Sequence, residues 1–154
     1  MLGGTLSRAY GLIYKIRTRV KREDETEPRR VFALIGRYVR GKVLDAGCGL
    51  GRHLKLSKDT IGIDADSIAI DWLKKKGYNV KLVNLDNAQY FFKDEEFDTI
   101  ICSHVLEHLR HPVEVLKEFR RILKLGGFLI LGLPNPLCPF IDYLSPSFMK
   151  RERH

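Results

Sequence analysis

Lys42-Val43-Leu44-Asp45-Ala46-Gly47-Cys48-Gly49-Leu50-Gly51 is the stretch on which the reading of this chain turns. Lys42-Val43-Leu44 opens a short buried strand and a carboxylate ends it. Three glycines then let the chain turn through backbone conformations that side chains disfavour. Arg52-His53-Leu54-Lys55-Leu56 reads as a helix, so the unit is a strand-turn-helix crossover whose backbone a ligand can approach closely. A dinucleotide pyrophosphate is a poor match. It would meet Asp45 two residues before the first glycine, and position 52, where GxGxxG needs its third glycine, is Arg52. A cationic ligand suits the turn better.

Outward from this turn, strand and helix signals alternate strictly, the pattern of an α/β fold with a parallel sheet and crossover helices. Residues 60–64 form a second strand. Ser67 caps a helix running through Ile70, Trp72 and Leu73 to Gly77, and 79–84 supply a third strand. Residues 97–103 are the fourth. Pro112 starts a helix with Val115, Leu116, Phe119, Ile122 and Leu123 on its buried face; Gly126 ends it, and 127–133 are strand five. Right-handed crossovers gather the carboxyl ends of the strands on one rim, where open α/β sheets bind ligands. Asp45, Asp64 and Asp86 fall at or just beyond the ends of successive strands. A carboxylate after strand two can accept both hydroxyls of a ribose, and one after strand three an exocyclic adenine amine. The pole near Asp45 favours an ammonium and a sulfonium, and N–H groups at the helix start can hold a carboxylate. S-adenosyl-L-methionine has all of these parts.

Before this core, Leu6, Tyr10, Ile13 and Tyr14 give the first twenty residues one apolar helical stripe, and Arg8, Lys15, Arg17, Arg19, Lys21 and Arg22 a basic face. That face is either solvated or a contact for an anionic partner, and the net charge of +8 favours nucleic acid only as a secondary reading. Pro28 restarts a helix with Val31, Leu34, Ile35 and Val39 on one face, ending near Gly41. With 154 residues a single domain is expected: N-terminal helices over 1–41, a ligand-binding core over 42–134, and a proline-rich tail over 135–154. The longest apolar stretch, around Phe128 to Leu133, is too short to cross a bilayer. Cys48, Cys102 and Cys138 are too scattered for a disulfide framework or a metal clip, and no secretion signal is read, so the expected location is cytoplasmic.

These residues also carry a family resemblance. Val43 to Gly51 resembles motif I of class I S-adenosylmethionine-dependent methyltransferases, and Gly62-Ile63-Asp64 looks like their ribose-binding motif. Asp86-Asn87-Ala88, Phe97-Asp98, Ser103-His104-Val105-Leu106-Glu107-His108-Leu109 and Arg121 to Gly127 follow at the spacing of the ubiquinone-biosynthesis-like, or methyltransferase type 11, branch. The resemblance implies a Rossmann-like three-layer α/β/α sandwich with strand order 3-2-1-4-5. It assigns Gly47, Cys48 and Gly49 to backbone contacts with the methionine part, with Asp45 shaping that pocket. Asp64 would hold the ribose, Ala65 would lie against adenine, and Asp86 would accept its amine. The Asn87 N–H would reach a ring nitrogen, and Ser103 would contact the methionine end.

Methyl transfer from a sulfonium is an in-line displacement, so alignment and exclusion of water matter most and a base is optional. His104 and His108 are the candidate bases for a protic acceptor. Some relatives bind a divalent ion through Glu-x-x-Glu-His here, but His104 stands where the first Glu would be, and no metal is expected. The family normally continues past strand five into an antiparallel hairpin, for which 135–154 leave no room. Strand five is therefore expected at an unprotected edge, covered by a second copy or a partner subunit. The function expected is methyl transfer to a small molecule. The alternatives are a cofactor-binding subunit without turnover and an RNA methyltransferase using the basic N-terminal helix.

Overall fold

The computed structural model describes residues 29–87 and 92–133. The helix expected in the first twenty residues, its basic face, Ala88, Cys138 and the proline-rich tail lie outside the described residues. The chain divides into two units, Met1–Tyr38 and Val39–His154. In the first, α1 (Arg29–Tyr38) follows Pro28 as expected. Its apolar face is narrower than read, because Ile35 is buried while Leu34 is exposed, and Val39 falls beyond the helix.

The second unit holds five parallel strands: β1 (Val43–Ala46), β2 (Thr60–Asp64), β3 (Val80–Leu82), β4 (Phe97–Ser103) and β5 (Leu123–Gly132). Their order is β3-β2-β1-β4-β5, the predicted one, and with α2 (Ser67–Lys75) and α3 (Pro112–Ile122) they form a Rossmann-like three-layer α/β/α fold. Burial on both faces explains the apolar runs: all four β1 residues are buried. Leu44 and Ala46 join Ile61, Ile63, Phe97 and Ile100 in a cluster with Val115, Phe119 and Ile122 of α3. Ile70 and Leu73 of α2 pack with Cys48, Leu54 and Val80.

Three local expectations are corrected. Asp66, not Ser67, is the cap of α2: its carboxylate accepts the N–H of Ile68 at 2.9 Å and of Ala69 at 3.2 Å, and an ionised acceptor is the stronger partner for free helix donors. The segment after the glycine turn is a single 3-10 turn, His53–Lys55, rather than a helix over 52–56. The Ser57 hydroxyl donates to the Gly41 carbonyl, and the Thr60 hydroxyl donates to the Ser57 carbonyl. Those bonds return the chain to the sheet before a second turn forms.

The third correction concerns β5, which starts at Leu123, directly after α3, so Gly126 does not end the helix. Leu123 pairs with Phe97, the register shifts, and pairing resumes with Phe128 opposite Thr99. Gly126, at φ +76°, lies within this irregularity, a conformation that glycine adopts without strain. Asp98 fixes the amino end of the sheet there: its carboxylate accepts the Lys42 N–H at 2.8 Å and both its oxygens meet Lys124 Nζ, at 2.9 and 2.8 Å. Gly41 (φ +60°) admits that carboxylate, since a Cβ would stand 2.3 Å from Asp98 Oδ2.

Candidate cofactor site

At the opposite rim, Asp45 sits at 1 % exposure between Gly62 of β2 and Ile101 of β4. The buried His53 Nδ1 stands 3.4 Å from its Oδ1, while Oδ2 has no hydrogen-bond partner among the described residues. Burial pushes the Asp45 carboxyl above the usual range; the His53 contact opposes that shift and the like charge of Asp64 adds to it. Burial also drives the Cys48 thiol far up and that of Cys102 to about 12, so both are neutral side chains rather than nucleophiles.

The glycine turn leaves β1 through left-handed conformations at Gly47 (φ +78°), Gly49 (φ +49°) and Gly51 (φ +78°). Gly47 and Cys48 both donate to the Ile63 carbonyl, at 2.8 and 3.0 Å, and Gly51 donates to the Cys48 carbonyl at 2.8 Å. The Gly49 N–H donates to Asp64 Oδ2 at 2.7 Å. These amides are directed into the protein, which differs from a helix start that presents donors to a ligand carboxylate. A Cβ on Gly47 would stand 2.2 Å from Val105 Cγ2, whereas one on Gly49 would meet nothing within 4 Å. The turn is thus pressed against the segment after β4 at one glycine and open at the next.

Asp64 ends β2 half-buried, with Oδ1 accepting the Asp66 N–H at 2.9 Å, and Ala65 between them is exposed. Asp86 Oδ1 accepts the N–H of Arg110 at 2.7 Å and of His111 at 3.2 Å, reaching the residues that lead into α3. The Asn87 N–H donates to the Asn84 carbonyl at 3.1 Å. Ser103 ends β4 beside Gly132, where a Cβ would lie 2.4 Å from Ser103 Oγ. The structure therefore bonds Asp64 to the glycine turn at Gly49, sets Asp45 against His53 just past that turn, and ties Asp86 to the residues that lead into α3.

His104 follows at φ +55°, a left-handed conformation uncommon outside glycine. Its N–H donates to the Gly132 carbonyl at 2.8 Å. Its Nδ1 is 3.6 Å from Glu107 Oε1, and His108 Nε2 is 3.9 Å from the same oxygen. Both imidazoles are exposed, and Glu107 Oε2 is buried with no hydrogen-bond partner among the described residues. No group of three or more His, Cys, Asp or Glu among the described residues is arranged to hold a metal ion.

The sequence reading missed His53. Read as part of a helix, it had no assigned direction; only the return of the chain through Gly51 brings it back to Asp45.

Comparison with known proteins agrees with this fold. Residues 44–131 match the family described as a methyltransferase domain, type 11. An uncharacterized protein of Methanocaldococcus jannaschii is 34% identical over 113 residues, covering 71% of this chain and 54% of that protein. A probable tRNA methyltransferase 9B of Mus musculus is 32% identical over 94 residues, 58% of this chain and 21% of that protein. The crystal structure of a SAM-dependent methyltransferase from Archaeoglobus fulgidus superimposes with a TM-score of 0.65 at 26% identity, covering 82% of this chain and 59% of that one. The chain thus spans about half, or less, of the length of the curated relatives it matches. The family match, the strand order and the glycine turn together show that this chain belongs to the class I S-adenosylmethionine-dependent methyltransferases of the type 11 branch.

Proposed function

We propose that this chain binds S-adenosyl-L-methionine along the rim formed by the ends of β1 to β4 and transfers its methyl group to a small-molecule acceptor. The observation that carries the reading is the Asp45 carboxylate, buried beside the glycine turn with one oxygen unpartnered among the described residues. A buried anionic oxygen is costly unless a cation or donor meets it, and a sulfonium and an ammonium both belong to this cofactor.

In this reading Gly47, Cys48 and Gly49 line the methionine end through their backbone and Asp45 faces its charge. Asp64 takes the ribose hydroxyls with the lone pairs left over from Gly49 and Asp66. Ala65 lies against adenine, Asp86 and Asn87 meet its polar edge, and Ser103 lies near the methionine end. His104 and His108, on either side of Glu107, are the groups to take a proton from a hydroxyl or amine acceptor. The reading treats 1–154 as one methyltransferase domain whose cofactor-binding core lies within the second unit, Val39–His154, and takes its location to be the cytoplasm. Among the described residues β5 is an edge strand with Leu131 exposed on it and Leu133 exposed just beyond it, which supports a homodimer or partner subunit over that strand.

Calorimetry with S-adenosylmethionine tests the binding half: micromolar affinity supports it, and no heat at millimolar ligand overturns it. Formation of S-adenosylhomocysteine with candidate acceptors tests the transfer half; binding without turnover points to a cofactor-binding subunit. A second reading, an RNA acceptor, is favoured by the net charge of +8 and by the tRNA methyltransferase relative. RNA affinity falling steeply with salt would support it.

A further inference from the structure

We infer that His53 is a positioning residue for the cofactor: by occupying Oδ1 of Asp45 it leaves Oδ2 to face the cationic methionine pole. The inference rests on the reading above that Asp45 lies at that pole. A buried carboxylate needs partners for both oxygens, and these two are served differently. His53 Nδ1 stands 3.4 Å from Oδ1, and Oδ2 has no partner among the described residues.

The imidazole is placed by a constrained backbone. The Leu54 N–H donates to the Gly51 carbonyl at 3.3 Å and the Leu56 N–H to the His53 carbonyl at 3.0 Å, closing the 3-10 turn on both sides of His53. Leu54 anchors that turn in the cluster with Cys48, Ile70, Leu73 and Val80. Gly51 lets it approach, because a Cβ there would lie 2.7 Å from Leu73 Cδ2 and 2.9 Å from Leu54 Cδ1. The pair is therefore held by packing from behind rather than by the rim itself.

Electrostatics gives this arrangement a ligand-dependent role. Burial and the nearby Asp64 both favour protonation of Asp45, and the imidazole opposes them. With Oδ1 met by the imidazole, Oδ2 is the oxygen left for a cationic or hydrogen-bond-donating group to meet. Had both oxygens been paired within the protein, the same residue would be only an internal brace.

The test is calorimetry on the full chain with two probes that share the nucleoside end. S-adenosylhomocysteine carries the ammonium pole, and methylthioadenosine lacks the amino-acid part altogether. His53→Phe is expected to raise the Kd for S-adenosylhomocysteine at least tenfold while leaving that for methylthioadenosine within twofold. His53→Asn, which restores an N–H donor near the Nδ1 position, is expected to keep both within about threefold. Equal losses for the two probes, or no loss for either, would overturn the inference, since a merely structural role does not distinguish them. In the wild type, the His53 Nδ1–H resonance is expected to move on binding S-adenosylhomocysteine and to stay with methylthioadenosine. An unmoved resonance with the first overturns the inference even where His53→Phe does not fold. A wild-type chain that binds neither probe overturns the underlying cofactor reading instead, and this inference with it.

Discussion

The two oxygens of Asp64 accept one backbone N–H each, from Gly49 at 2.7 Å and from Asp66 at 2.9 Å, so the end of β2 and the glycine turn form one unit. Asp64→Ala removes both bonds and the expected ribose acceptor. We expect it to lower folding stability by about 1–2 kcal/mol and to weaken S-adenosylmethionine binding by roughly tenfold or more. Urea unfolding and calorimetry check the two effects separately; an unchanged affinity would remove Asp64 from the site.

Gly47 and Gly49 separate packing from ligand space. Gly47→Ala adds left-handed strain and a collision with Val105, and is expected to destabilise by about 2–4 kcal/mol. Gly49→Ala meets open space, so its folding cost is about 1–2 kcal/mol from backbone conformation alone. Its larger effect is on cofactor affinity, because the added methyl occupies the opening. Thermal unfolding should rank Gly47→Ala as the less stable, and calorimetry should show weakened binding by folded Gly49→Ala.

Acid stability follows from Asp98 and Glu96. Lys124 and the Lys42 N–H hold the Asp98 carboxyl below its usual range, and Lys42 does the same for Glu96. The unfolded chain therefore takes up protons first as the pH falls, so the stabilisation is present above the ordinary carboxylate range and is lost as the pH drops through the lowered folded values. Asp45, shifted upward by burial, works in the opposite sense. Asp98→Asn is expected to cost about 1 kcal/mol near pH 7 and to flatten the decline below the carboxylate range. Unfolding in urea from pH 7 to pH 3 would show it, and a decline as steep as that of the wild type would speak against Asp98.

For a protic acceptor, His104→Ala is expected to lower kcat by about 10²-fold or more with the cofactor Kd within a factor of about two, as expected for a side chain that acts after binding. His104→Gly, relieved of the left-handed conformation, should match the wild type in stability within about 1 kcal/mol and lose the same turnover. His108→Ala distinguishes the two imidazoles around Glu107. Single-turnover kinetics would decide, and full activity in both alanine variants would exclude proton removal by either.

The sheet was legible in the sequence because each parallel strand carries its own short apolar run and each crossover its own helix signal. Asp45, Asp64 and Asp86 could be placed on one rim by strand count alone. What sequence reasoning could not supply was where each carboxylate points. Asp64 turns toward Gly49, Asp86 toward Arg110 and His111, and Asp45 toward His53, contacts made across 15 to 25 residues or through a tight turn. The start of β5 was missed for a related reason. Leu123 has the spacing of a helix face and also the register of a strand, and its pairing with Phe97 decides between them.

Asp86 couples two regions that are distant along the chain. Its carboxylate, just beyond β3, grips the amides of Arg110 and His111 at the entry to α3, 24 and 25 residues onward. A nucleobase amine drawn to the same group would compete with those amides for its lone pairs. A ligand held at Asp86 would then be felt at the start of α3 through a single side chain.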